Sequence, residues 1–422
     1  MRVMAVNGVG MALAYASHVL FAKWLGVAQY GYYVYALAWL NVLTVLVQLG
    51  MNTSTVRITA ELRGQDRHAA ILGLSMFSTQ VVIASGLVVM VIGGAALALT
   101  ADLITTEQSL TLAIMLGLVV VLSLLYQRMA LLQGFERVAQ AQSFLEIVRP
   151  VVLISLVGLC VLAFDVEAHV AMLANLAATA LALMVAAVAV GKFLNAGPQG
   201  RVMREFEARA WLAVSLPYLV IGLLTAVITQ SDVLMLGTLM GGVAAGLYTP
   251  AIKLAQLVLF PMMAIRSRAA PLMARLYAED DMDELQHQMN ITTVTSALTG
   301  FVLVAGLIWQ RETLLGLFGP DFIQSAPVVV ILALAMGVYA VTGGIEVFLI
   351  FGPFERVTVL IYALVVALNI TLNLILIPRM GILGAAYATA ATVVVRGLIS
   401  TYVVWRRTGI LPWTPLRVEV PS

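Results

Sequence analysis

Charge is what this 422-residue chain has least of: only 10% of it is Asp, Glu, Lys or Arg, against about 25% in an ordinary soluble domain. Cysteine is scarcer still, and the lone Cys160 excludes an intramolecular disulfide. There are four histidines, and no HExxH, nucleophile elbow, Walker loop or Cys–His cluster occurs. Nothing therefore points to a catalytic residue, a cofactor or a metal ligand set, and an enzyme is not expected. A formal net charge of +2 gives no reason to expect a nucleic-acid partner.

What is present instead is apolar: 62% hydrophobic residues and a mean hydropathy of +1.02. Crossing a bilayer takes roughly 20 apolar residues, and runs of that length recur along the chain. Twelve spans are predicted, near 3–24, 31–56, 70–99, 109–132, 144–164, 169–193, 211–239, 243–267, 291–309, 326–350, 356–378 and 382–405. The fold class is all-α, a polytopic membrane protein with residues 1–200 as an N-terminal six-helix bundle and 201–422 as a C-terminal one. Arg2 and the weak Ala14-Tyr15-Ala16 site mimic a signal peptide, but a retained first helix is expected.

The gaps between spans alternate in chemistry. One set (57–68, 128–137, 192–209, 266–284, 355–356, the tail from 406, and Arg2) holds 17 of the 23 Lys and Arg. The other holds three, Lys23, Arg311 and Arg379. By the positive-inside rule the first set and both termini of this multi-pass protein are cytoplasmic. The acidic run at 277–288 reads as a solvated amphipathic helix on the membrane surface.

The halves repeat one another. Phe135-Glu136-Arg137-Val138 recurs as Phe354-Glu355-Arg356-Val357, and Ala60-Glu61-Leu62 with Asp66 parallels Ala274-Arg275-Leu276 with Asp280. Gly31 and Gly246 lie near the starts of the second and eighth spans, Gly31 between Tyr30 and Tyr32 and Gly246 two residues before Tyr248. Six spans per half is an even number, so equivalent helices run in the same direction. Such parallel repeats are related by an axis along the membrane normal.

Spans seven and eight form a hairpin carrying an acid, Asp232, a base, Lys253, and two prolines, Pro217 and Pro261. A charge inside the bilayer must face a cavity or a partner. At a rise of 1.5 Å per residue, Asp232 lies about 9 Å and Lys253 about 15 Å from the outer end, close enough to meet. Two roles fit: Lys253 attracts an anionic substrate while Asp232 pairs with it or binds a coupling cation, or the pair holds the helices in register.

Several short motifs resemble the lipid-linked oligosaccharide (O-antigen type) flippases, polysaccharide-biosynthesis membrane proteins of the multidrug/oligosaccharidyl-lipid/polysaccharide exporter superfamily. They are Leu25-Gly26 with Gln29-Tyr30-Gly31, Leu49-Gly50-Met51 with Arg57, and Ser231-Asp232-Val233 with Leu236-Gly237 and Ala245-Gly246-Leu247-Tyr248. Leu314 with Leu317-Phe318-Gly319 and Phe322, then Gly381 with Gly384-Ala385-Ala386, complete the set. The resemblance implies two six-helix bundles with spans 1, 2, 7 and 8 lining a cavity. It also implies a substrate for surface polysaccharide such as lipopolysaccharide, carried on undecaprenyl diphosphate in the membrane lipid. A polysaccharide polymerase and glycosyltransferases are the implied partners.

In that frame the substrate-binding candidates are Lys253, Asp232, Arg149, Arg396, Asn7, Asn41 and Gln48, with Asp232, Glu346 and His18 for ion coupling. Arginine binds phosphate oxygens bidentately, but for Arg149, near a helix end, snorkelling to the interface is the leading role. For Glu346, His18 and the asparagines an interhelical hydrogen bond is the competing role. The rival function is a cation-coupled multidrug exporter of the same superfamily, which would want acids, not a lysine, dominating the cavity.

Overall fold

Inside a bilayer the backbone has no water to bond to, so each apolar run satisfies its amides within itself by forming a helix. The computed structural model describes residues 2–195, 205–351 and 354–414, and every regular element among them is helical. Sequence features at 196–204, in the tail from 415, and on the side chains of Arg2, Arg266, Glu355 and Arg356 lie outside the described residues.

The first half runs α1 (Arg2–Gln48), α2 (Met51–Gly64), α3 (His68–Leu99), α4 (Thr106–Gly134), α5 (Val138–Ser143), a π turn (Phe144–Val148), α6 (Arg149–Ala163) and α7 (Ala168–Leu194). The second runs α8 (Ala208–Leu239), α9 (Gly242–Gln256), a 3-10 turn (Leu257–Leu259), α10 (Phe260–Ala278), α11 (Met282–Gly316), a second 3-10 turn (Pro320–Ser325), α12 (Ala326–Phe351), α13 (Glu355–Met380) and α14 (Ile382–Thr408). Contacts divide the chain into two compact units, Met1–Gln230 and Ser231–Ser422, the division falling inside α8.

Among the described residues eleven stretches are long and apolar enough to cross a membrane. One of them, Ala5–Gln48, is 44 residues long, about twice a bilayer's need. It breaks at Gly26, whose φ of 70° and ψ of 172° only glycine adopts readily. That break makes two spans of one and gives twelve, as the hydropathy predicts.

The second span ends earlier than its sequence suggests, at Gln48 instead of 56, because Leu49 and Gly50 turn left-handed, with φ of 48° and 77°. Residues 51–56 belong to α2, whose buried stripe Met51, Ser54, Thr55, Ile58, Thr59 and Leu62 follows the helical period. This stripe joins Ile71, Leu74 and Trp211 in one apolar cluster of the first unit. The eighth span likewise breaks at Leu257–Leu259, just ahead of Pro261, whereas Pro217 is absorbed within α8. The acidic run is not a separate surface helix. Asp281 caps α11 by accepting from the Glu284 N–H at 3.2 Å, and Asp283 and Glu284 fill its first turn, where the helix dipole favours acids.

Several element borders repeat at an offset of 214 residues. Gly64 and Ala278 end α2 and α10, and His68 and Met282 begin α3 and α11. Ala168 and Ile382 begin α7 and α14, and Leu194 and Thr408 end them. Asp66 and Asp280 share an uncommon positive φ, 53° and 56°, and Gly26 and Gly241 share another, 70° and 86°. The duplication read from short motifs is therefore a duplication of structure.

Candidate functional site

Asp232 lies 8% exposed near the end of α8. Its carboxylate accepts from Tyr248 Oη at 2.7 Å, Asn373 Nδ2 at 2.7 Å, Asn369 Nδ2 at 3.5 Å and the Thr389 hydroxyl. Asn369 and Asn373 stand four residues apart on α13 and so share a face. Asn373 Nδ2 also reaches Asn369 Oδ1 at 3.0 Å, and Ser231 Oγ donates to that same oxygen at 2.6 Å. Asn373 Oδ1 is buried with no hydrogen-bond donor. The result is an acid inside the second unit held by neutral groups alone. An uncompensated charge at this depth is costly, and the carboxylate, the Tyr248 and Thr389 hydroxyls and the donor-free Asn373 Oδ1 are hard oxygens of the kind a small cation or a proton takes.

Lys253 does not complete this cluster. Depth alone brought it level with Asp232, but its azimuth differs: Lys253 is five residues beyond Tyr248, about 140° around the helix at 3.6 residues per turn. Tyr248 takes the position facing the acid. Lys253 is half-buried and makes no hydrogen bond or ion pair among the described residues.

Arg149 does not snorkel. Pro150 has no N–H to return to the Glu146 carbonyl, and the chain passes this point as the π turn Phe144–Val148, leaving Arg149 at the start of α6. Its Nε donates to Thr179 Oγ1 at 3.0 Å and its Nη2 to Asn175 Oδ1 at 3.0 Å. Asn175 Nδ2 then donates to Tyr33 Oη at 3.1 Å. Asn175 and Thr179 sit four apart on α7, an apolar helix in which such a polar pair was the available signal.

Arg396 and Glu346 form a buried ion pair, Nε to Oε1 at 2.7 Å, with the guanidinium 4.7 Å from the Tyr339 ring centroid. The arginine and the proton-site candidate thus answer each other. His18 Nδ1 meets Tyr30 Oη at 2.9 Å across the Gly26 break, the polar-contact role. Asn7 and Asn41 are exposed and Gln48 is buried, and none of the three makes a side-chain hydrogen bond among the described residues.

One cluster escaped the sequence reading because its members lie far apart in the chain. In the first unit Glu107, in the first turn of α4, meets Glu167 and His169 at the start of α7. His169 Nδ1 lies 2.9 Å from Glu107 Oε2 and 3.3 Å from Glu167 Oε2. A hydrogen bond with the Glu107 carboxyl raises the pKa of Glu167 above the ordinary glutamate value.

Comparison with known proteins gives this geometry a family. Residues 2–277 match the family described as polysaccharide biosynthesis protein. The chain belongs to that family. Residues 217–375 of this polysaccharide biosynthesis protein also match the MatE family. Its fold is similar to that of a multidrug resistance MATE family transporter of the MOP superfamily, inward-facing, at a TM-score of 0.74, 14% identity, and 94% of each chain covered. It is also similar to the lipid II flippase MurJ in an inward closed conformation, at 0.71 and 14%, covering 95% of this chain and 87% of that one. A third is the MATE multidrug transporter DinF-BH, at 0.66 and 16%, covering 97% and 95%. No curated protein matches the chain. The solved relatives are transporters and a flippase, and at these identities they speak for the fold.

Proposed function

We propose that this polysaccharide biosynthesis protein is a flippase for surface polysaccharide assembly. It moves an oligosaccharide linked through diphosphate to a polyprenyl lipid such as undecaprenyl, from the cytoplasmic to the periplasmic leaflet, by alternating access. The observation that carries this is Lys253. Of the cations well inside the spans, Arg128 is bound to Ser75, Arg149 to Asn175 and Thr179 and Arg396 to Glu346, whereas Lys253 has no partner among the described residues. A lysine kept unpaired inside a membrane is expensive, and an anionic diphosphate headgroup is the substrate that repays it. The family assignment supports the polysaccharide class. The charge bias supports a bacterial inner-membrane protein with both termini cytoplasmic. Polymerase and glycosyltransferases are its proposed neighbours in the pathway.

Asp232 is the proposed coupling site. Its carboxylate, with the Asn369, Asn373 and Thr389 oxygens, offers sodium or a proton a site whose occupancy changes the charge of the unit. The multidrug-exporter reading is weaker here. A cationic drug, far larger than sodium or a proton, needs an acid with open space beside it, and the Asp232 carboxylate is buried against four donors.

The test follows lipid-linked saccharide in inner membranes of a bacterium lacking the gene. Accumulation out of reach of an external impermeant probe, reversed by wild type and not by Lys253→Ala, is the expected result. Drug sensitivity with no lipid-linked saccharide accumulating would transfer the assignment to the exporter.

A further inference from the structure

A cavity of about 520 Å³ opens on the first unit between the Arg137 corner ahead of α5 and the last two turns of α7. Arg137 and Lys192 stand at one end of it, Phe144 and Phe193 line it, and Val185 and Val188 form the far wall. The two valines are 43% and 66% exposed, on a helix that spans the membrane, so this wall is open to hydrocarbon. Val185 lies seven residues from Lys192, about 10 Å deeper along the helix.

The cations are positioned. Phe193 stacks on Phe135 with ring centroids 5.3 Å apart, and the Arg137 guanidinium sits 5.6 Å from the Phe193 centroid. Two other loop-end arginines of the first unit are already neutralised. Arg63 pairs with Glu136, and Arg67 with Glu205 at 2.6 Å and Glu207 at 2.7 Å. Arg137 and Lys192 have no acidic partner among the described residues. Two free cations at the interface above an apolar wall facing lipid form an amphipathic site. By the charge bias it lies in the cytoplasmic leaflet. Basic pockets between transmembrane helices on that side bind anionic lipid headgroups.

We propose that this cavity binds an anionic glycerophospholipid of the cytoplasmic leaflet, its phosphodiester between Arg137 and Lys192 and an acyl chain along Val185 and Val188. Arginine takes two phosphate oxygens through its planar fork, and lysine supplies a point charge. The apolar wall distinguishes this from a site for free phosphate. The site uses neither Lys253 nor Asp232 and does not depend on what the protein transports.

The test measures retention of phosphatidylglycerol against phosphatidylcholine of identical chains by native mass spectrometry of the purified full-length protein. Phosphatidylglycerol should be retained preferentially. Arg137→Gln with Lys192→Gln should weaken retention roughly 30-fold, at about fivefold for each basic residue. Val188→Trp, which keeps both charges and fills the groove, should weaken it as well. Equal retention of the two lipids would overturn the proposal, as would undiminished retention in both variants. So would displacement of the lipid by inorganic phosphate or glycerophosphate at its own concentration, or preference for a polyprenyl diphosphate over phosphatidylglycerol.

Discussion

Replacing Asp232 separates a structural acid from a coupling one, because asparagine and alanine damage the cluster differently. In Asp232→Asn one oxygen still accepts from the Asn373 and Asn369 amides, while the new amide faces the Tyr248 and Thr389 hydroxyls, which rotate to accept. The loss is that of charge-assisted bonds becoming neutral ones, offset by removing a buried charge, so about 0–2 kcal/mol. In Asp232→Ala the Asn373 amide and two hydroxyls lose their acceptor inside a membrane, roughly 3–5 kcal/mol after allowing the hydroxyls to turn elsewhere. A cation bound at a hundred times its Kd adds about 2.7 kcal/mol to the folded state. Thermal unfolding of purified protein with sodium titrated against choline, repeated across pH, reads this directly. Wild type should be stabilised by sodium or by protonation, and Asp232→Asn should fold yet lose that response together with flipping in proteoliposomes. If Asp232→Asn flips normally with an unchanged cation response, coupling does not run through Asp232 and the cluster is a hydrogen-bonded strut.

Other consequences are narrower. Glu346→Leu or Arg396→Leu alone should cost about 3–5 kcal/mol by stranding a buried charge, and the double substitution should recover most of it; additive losses in a double-mutant cycle would deny the pairing. Gly50→Ala should be severely destabilising, since Gly50 holds a φ of 77° and an added Cβ would stand 2.1 Å from the Ser215 carbonyl oxygen; near-normal yield and melting temperature would count against the α1–α2 elbow. A glutamate whose folded pKa is raised favours the folded state below the ordinary glutamate pKa, and that advantage fades as pH rises through the raised value. Glu167→Gln should therefore flatten the fall in melting temperature across that window, and an unchanged slope would remove Glu167 from the explanation.

Hydropathy and charge bias made the spans legible because the bilayer imposes the same length and satisfaction rules on every helix. They did not show where helices break. Gly26 breaks α1 as glycine readily does, but Leu49 turns left-handed against its own preference, held by the elbow into α2. In the candidate site the charged residues were legible and their partners were not. Asp232 announces itself as a lone acid in an apolar run, while its donors come from three other helices whose rotation no periodicity fixes when every face is apolar. The pairing of Lys253 with Asp232 was misjudged for the same reason: depth follows from residue number, azimuth only from packing. Arg149 was readable in principle, since Asn175 and Thr179 present two polar groups to one face of α7.

The repeat gives these clusters a common origin and an opposite outcome. Tyr33 and Tyr248 are separated by 215 residues, and Asn175 and Thr389 by 214, so each unit places a tyrosine and a polar side chain at equivalent positions inside its apolar core. In the first unit that pair is filled out by Arg149, in the second by Asp232. Duplication kept the polar niche, because unsatisfied polar groups in a membrane core cannot drift freely, and divergence chose the sign of its charge. A cationic niche bonded to Asn175 and Thr179 repels a further positive ion, whereas an anionic one retains affinity for it. On that reasoning a cation bound at this niche is held in the second unit, and exchanging Arg149 for an uncharged residue should leave that binding in place.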